Sequence, residues 1–150
     1  MSAKPLTSTA MCQVGVIVRD IERSAKVFAA LFGVPVPAIS TTDPADKSHI
    51  QYRGAPTQAR AKLAFFKAGP LQLELIEPLG EPSTWKEFLS KRGEGLHHIA
   101  FHVPDTELEA KSLAEHGLKV VQKGDYTGGR YSYVEGEPLA GVILELLQNS

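Results

Sequence analysis

The sequence has one cysteine, Cys12, and one tryptophan, Trp85. A lone cysteine makes no internal disulfide, and nothing beside Cys12 suggests an activated thiolate, so a disulfide scaffold and a thiol nucleophile are both set aside. An excess of charge of one sign is also lacking: 16 Lys and Arg stand against 17 Asp and Glu, with no basic tract or stripe. A nucleic acid would find no electrostatic footprint here. No stretch approaches the roughly 20 apolar residues of a membrane span. The opening MSAKPLTSTA lacks the apolar run of a signal peptide and reads as a short frayed lead-in. These absences lead us to expect a cytoplasmic, reducing location, with neither nucleic acid nor membrane as partner.

What the chain does have is a repeated pattern. Its 150 residues, 43% hydrophobic and 22% charged, suit one compact domain, 1–150, or two small similar modules sharing a sheet. Gln13-Val-Gly-Val-Ile-Val-Arg-Asp20 reads as a β-branched strand ending in a helix cap, followed by an amphipathic helix over Ile21–Phe32 with Gly33 as its stop. His98-Ile-Ala-Phe-His-Val-Pro-Asp105 repeats the design at the same spacing, placing Gln13 over His98 and Asp20 over Asp105. A second helix follows, with Leu108, Leu113 and Ala114 inward and a stop at His116-Gly117. Late in each half comes an apolar strand holding one acid, Leu71-Gln-Leu-Glu-Leu-Ile76 and Val142-Ile-Leu-Glu-Leu-Leu147. Lys62–Ala68 and Arg130–Val134 read as the strands that precede them. Thr84-Trp-Lys-Glu87 resembles a capping box that opens a short connecting helix ending near Gly93. The expected fold is α+β, with two βαβββ modules at about residues 10–80 and 95–148 forming a cupped mixed sheet.

Side chains alternate across a strand, so Leu71, Leu73 and Leu75 share one face and Glu74 points to the other; Leu144 and Leu146 stand to Glu145 in the same way. A carboxylate on an apolar strand is costly to bury unless it is paired or metal-bound. Two at equivalent places of a repeat would meet near its pseudo-twofold axis, where Gln13 and His98 are placed to join them. An amide oxygen, an imidazole and two carboxylates form a mixed donor set suited to a divalent metal with open water positions. Of the three histidines in Gly93–Asp105, alternation sends His98 and His102 to the concave side and His97 to the helix side. His102 is therefore a candidate to orient a ligand. Tyr131 and Tyr133 share one strand face and could line a pocket. Arg130 could clamp a carboxylate or phosphate. The polar segment 35–56 reads as surface padding or a loop over the entrance.

At these residues the chain resembles the vicinal-oxygen-chelate superfamily, the group that includes glyoxalase I, methylmalonyl-CoA epimerase, extradiol dioxygenases and fosfomycin-resistance proteins. The strings VGVIVRDIERSAKVFAALFGV, LELIEPLG, GEGLHHIAFHVPD and GVILELLQ are similar in order and spacing to methylmalonyl-CoA epimerases in particular. The resemblance implies a glyoxalase-like fold, a homodimer, and a divalent ion (Co, Ni, Zn, Mn or Mg) held by Gln13, Glu74, His98 and Glu145. It implies an enzyme that chelates two substrate oxygens and removes a carbon-bound proton, with Glu145 as base and Glu74 as the second candidate. Epimerisation of an acyl-CoA is the leading expectation; a glyoxalase I-like lyase or a non-catalytic binder of a metabolite or drug are the alternatives. Two departures stand out. Epimerases usually have histidine where this chain has Gln13, although some glyoxalases use glutamine there, and the strand Ala61–Phe65 lacks the extra glutamate described in epimerase sites.

Overall fold

The computed structural model describes residues 5–150. Strand β1 (Met11–Ile17) buries Gln13, Gly15 and Ile17 on one side and lays Val16 against helix α1 (Ile21–Phe32) on the other. Helix α1 begins where the Asp20 side chain accepts from the Arg23 N–H, and ends at Gly33, whose positive φ of 66° lets its own N–H reach the last carbonyls. Ile21, Ala25 and Ala29 pack on Ala64, Phe66 and Leu75 of strands β5 (Arg60–Ala68) and β6 (Leu71–Leu79).

The second half runs β7 (Gly95–His102), α4 (Thr106–Ala114), β8 (Lys119–Tyr126), β9 (Gly129–Glu135) and β10 (Ile143–Asn149). Asp105 caps α4 as Asp20 caps α1, and Leu113 joins Phe101, Val134, Leu144 and Leu146 in a second outer cluster. Among the described residues these strands and three short ones, β2 (Ser40–Thr41), β3 (Gln51–Tyr52) and β4 (Ala55–Pro56), form one ten-stranded sheet in the order β2-β5-β6-β1-β7-β10-β9-β8-β3-β4. At its centre β1 runs antiparallel to β7, while β1–β6 and β7–β10 are parallel, so each half presents the same pair of strands to the middle. This is the glyoxalase-like α+β sheet, with α1 and α4 on its outer face.

Helix α3 (Thr84–Arg92) lies on the inner face instead, and Trp85, Phe88 and Leu89 pack with Ile17, Ile76, Tyr133 and Ile143. The segment 35–56 contributes β2 (Ser40–Thr41), the short α2 (Ala45–Ser48), β3 (Gln51–Tyr52) and β4 (Ala55–Pro56). β2 pairs with β5 near one edge of the sheet and β3 with β8 near the other, so the segment straps across the concave side. It is not mere padding, because Ser48 and Ile50 are buried and Ile50 belongs to the inner cluster.

Other expectations need correction. The first four residues of the expected lead-in lie outside the described residues, but Leu6 packs on the α4 cluster and the Thr7 N–H donates to Glu109 at 3.2 Å. That bond accounts for the burial of Glu109 on α4, whereas Leu108 faces solvent. Helix α4 ends at Ala114. The cap of α3 is Ser83, whose hydroxyl accepts from the Lys86 N–H, because Thr84 is already in the first turn. No helix among the described residues is long and apolar enough to cross a membrane.

Candidate metal centre

The site forms where the central strands meet. Gly15 of β1 lies opposite His98 of β7, and the His98 ring occupies the space where a side chain on Gly15 would stand. Fully buried, the ring directs Nε2 at three oxygens: Glu145 Oε2 at 2.6 Å, Gln13 Oε1 at 2.9 Å and Glu74 Oε1 at 3.5 Å. The Gln13 amide is oriented by its own nitrogen, which donates to Gln72 Oε1 at 2.7 Å. A single imidazole nitrogen carries at most one hydrogen and cannot satisfy three oxygens. Although Glu145 Oε2 is the nearest of them, it is poorly aligned with the ring and remains a buried oxygen without a hydrogen-bond partner. Glu74, His98 and Glu145 each offer a ligand atom within 4.8 Å of the others. Burial of two carboxylates around one imidazole nitrogen is what a divalent cation offsets, and the oxygen-rich donor set fits one.

The electrostatics follow from the crowding. Burial and the neighbouring charge of Glu145 push the Glu74 carboxyl up to about 8, with His98 opposing. Burial pulls the His98 imidazolium down, but the charge of the adjacent Glu145 carboxylate, with Glu74 behind it, outweighs this and raises its pKa. The Tyr133 phenol is driven well above its usual range by burial and by both glutamates, so it stays a hydrogen-bond donor or acceptor and not an anion. Tyr126 is pushed up to about 12 by burial first and Glu145 second.

A cavity of about 660 Å³ opens above this centre. Gln13, Glu74 and Glu145 lie on its lining, as do His102, Tyr131 and Tyr133. His102 is exposed, with Nδ1 3.5 Å from the Asn149 amide. Arg130 is not brought in. It borders a shallower hollow with Lys123 and Ser132, and its Nε lies 4.0 Å from Asp125. Neighbouring strand residues point to opposite faces, so with Tyr131 facing the cavity Arg130 is turned away.

His97 is a second correction. It does not face the outer helices, because the β1–β7 register slips between Gly15 and Val16 and leaves His97 as the extra residue of a bulge. Its ring turns inward, against Phe88 of α3 and Tyr133, with Nδ1 2.9 Å from Nδ1 of His98. Burial, then the neighbouring His98, holds its pKa well below the usual value, so His97 is neutral. In this structure the Nε2 hydrogen of His98 faces Gln13 Oε1; with a cation in its place, His98 would keep its hydrogen on Nδ1 and donate it to His97 Nδ1. That contact would fix the tautomer of the metal-facing ring.

Residues 12–134 match the family described as the glyoxalase/bleomycin resistance protein/dioxygenase superfamily. The chain belongs to this superfamily. Among curated relatives, the uncharacterized protein YqjC of Bacillus subtilis is 32% identical over 94 residues, covering 61% of this chain and 67% of the relative. An ethylmalonyl-CoA/methylmalonyl-CoA epimerase of Cereibacter sphaeroides is 32% identical over 82 residues, covering 51% of this chain and 61% of the relative. A solved methylmalonyl-CoA epimerase from Mycobacterium tuberculosis superposes with a TM-score of 0.66 at 23% identity, over 97% of this chain and 92% of that one, a likeness of fold.

Within this superfamily fold, three contributors to the centre escaped the sequence reading. Gly15 has a legible signal in retrospect, a glycine inside a β-branched strand, which marks a close approach. Gln72 sits two residues before Glu74 on the same strand face. His97 gave no signal, since the bulge that turns it inward is a property of the β1–β7 pairing.

Proposed function

We propose that this superfamily member is a metal-dependent isomerase of the epimerase type, moving a proton at a carbon beside a carbonyl. The observation that carries the reading is the crowding of three oxygens around His98 Nε2 at the floor of a cavity. Gln13, Glu74, His98 and Glu145 would hold a divalent cation, which when bound draws electron density from two substrate oxygens and eases loss of the neighbouring proton. Glu145 is the base, because its carboxylate is buried at the floor of the cavity with His98 as its one close polar neighbour among the described residues. Glu74, on the other side of His98 from Glu145, is the second carboxyl and the candidate to supply the returning proton. This pair makes up for the acid missing from β5, where Leu63 and Phe65 line the cavity instead.

Return of the proton to the opposite face of the same carbon is epimerisation; return to the adjacent carbon is glyoxalase-type isomerisation. The name of the epimerase relative puts an acyl-CoA among the substrates to test. A protein that only sequesters a metabolite is the second reading, favoured by the apolar Leu63 and Phe65 where an acid was expected.

The test is solvent exchange in deuterated water with metal-reconstituted protein, offered methylmalonyl-CoA and, separately, 2-hydroxyacetophenone. Deuterium entering at the carbon beside the carbonyl, and lost in Glu145→Gln, supports proton transfer. Metal and ligand binding without any exchange would leave the binder.

A further inference from the structure

The permanent charges lining the cavity are all of one sign, and His102 is the one imidazole among the described lining residues. Besides Glu74 and Glu145 at the floor, Asp43 of the strap and Asp125 at the end of β8 reach its surface, and none of the described lining residues is Lys or Arg. A divalent cation at the floor would balance the two glutamates, which leaves the aspartates to set the field at the mouth. Asp125 is partly offset from outside by Arg130 at 4.0 Å, and it shares a hydrogen bond with His49 at 2.9 Å. Asp43 appears in none of the ion pairs among the described residues.

The walls between floor and mouth are aromatic and apolar. Phe65, Trp85, Tyr126, Tyr131 and Tyr133 all contribute, with Ile50 of the strap among them. The volume of about 660 Å³ is that of a site enclosing a whole small molecule. Phenols kept protonated by burial and by Glu145 add polar contacts without adding charge.

We infer that the ligand of this cavity is an aromatic compound presenting two adjacent oxygens to the floor, with an outer end that is uncharged or cationic. The argument rests on the proposed metal centre but not on turnover. An aromatic body stacks on the ring-lined walls, and a positive group on its outer end meets Asp43 and Asp125. A negative group at that end meets the same two carboxylates with no cation among the lining residues to receive it.

Trp85 is the chain's single tryptophan and lines the cavity, so its fluorescence reports occupancy without any turnover. The probes are 2-hydroxyacetophenone and two para-substituted forms, one with a carboxylate and one with an aminomethyl group. They share the chelating end and differ only in outer charge. With metal-reconstituted protein the expected order of affinity is aminomethyl, then unsubstituted, then carboxylate, with about tenfold between the two extremes at low salt. Asp43→Asn combined with Asp125→Asn should shrink that spread to within about twofold, leaving the unsubstituted probe unchanged. Equal or tighter binding of the carboxylate, an unchanged spread in the double variant, or no binding of any probe overturns the inference. Because exchange is measured separately, proton transfer can fail while this order holds, and the reverse.

Discussion

Replacing Gly15 by alanine tests the architecture of the centre more directly than replacing a ligand. A methyl group on Gly15 would stand 2.6 Å from Nε2 of His98 and nearer still to other ring atoms, whereas ordinary contact begins at 3.4 Å. The ring must therefore retreat by about 1 Å, and it has little room, since His97 and Tyr133 back it. Disturbing the support of a metal-ligating imidazole typically costs 10–100-fold in affinity. Overpacking at one core position costs about 1–3 kcal/mol, which for a chain of this length lowers Tm by roughly 2–12 °C. Gly15→Ala should thus fold, with a modestly lower Tm, and bind zinc or cobalt 10–100-fold more weakly by calorimetric titration. If Gly15 acts only through His98, the alanine substitution should cost no further affinity in a His98→Ala background. Wild-type affinity in Gly15→Ala, or a further loss in the double variant, would refute the reasoning.

Three further outcomes are expected. His97→Phe keeps a ring against Phe88 and Tyr133 but cannot accept from His98; metal affinity should fall 10–100-fold and the 15N shifts of His98 should show loss of the fixed tautomer, with partial recovery in His97→Gln. Glu145→Gln should lower solvent exchange by about 10²–10⁴-fold, with little change in the circular dichroism spectrum. The third concerns Glu87 on α3, where burial opposes ionisation but the Tyr52 hydroxyl, Lys91 and Arg53 outweigh it and lower the carboxyl to about 2. Its stabilisation is complete above its ordinary value of 4.5 and is lost as the pH falls toward 2. After discounting for a partly exposed group, wild type should lose on the order of 1–2 kcal/mol more than Glu87→Gln between pH 6 and 2.5 in urea titrations; equal losses would show that Glu87 does not anchor the Tyr52–Arg53 hairpin to α3.

The helices bounded by Asp20 and Gly33, and by Asp105, were legible because a side chain caps an N–H a few residues away and a glycine takes a conformation others resist. These are local devices. The leucine faces of β6 and β10 were legible because strand alternation is local too. Strand β8 was not, since Lys-Val-Val-Gln-Lys-Gly-Asp-Tyr has a weak pattern and depends on β9 and β3 for its pairing. The inward turn of His97 and the outward turn of Arg130 were missed for different reasons. The first comes from a register slip between strands distant in sequence. Arg130 was chosen for its charge, although Tyr131 and Tyr133 had already claimed the opposite side of the strand. The strap defeated a composition-based reading because its few apolar residues, Ile50 above all, fall where a buried wall needs them.

That strap has a consequence for stereochemistry. The central strands bring one carboxylate from each half to the floor of the cup, Glu74 and Glu145, related by a rotation, so the floor alone does little to decide which end of a substrate lies toward which half. Only the first half sends a segment across the opening. The orientation in which a substrate offers its faces is therefore set from above, by a segment that the second half does not repeat.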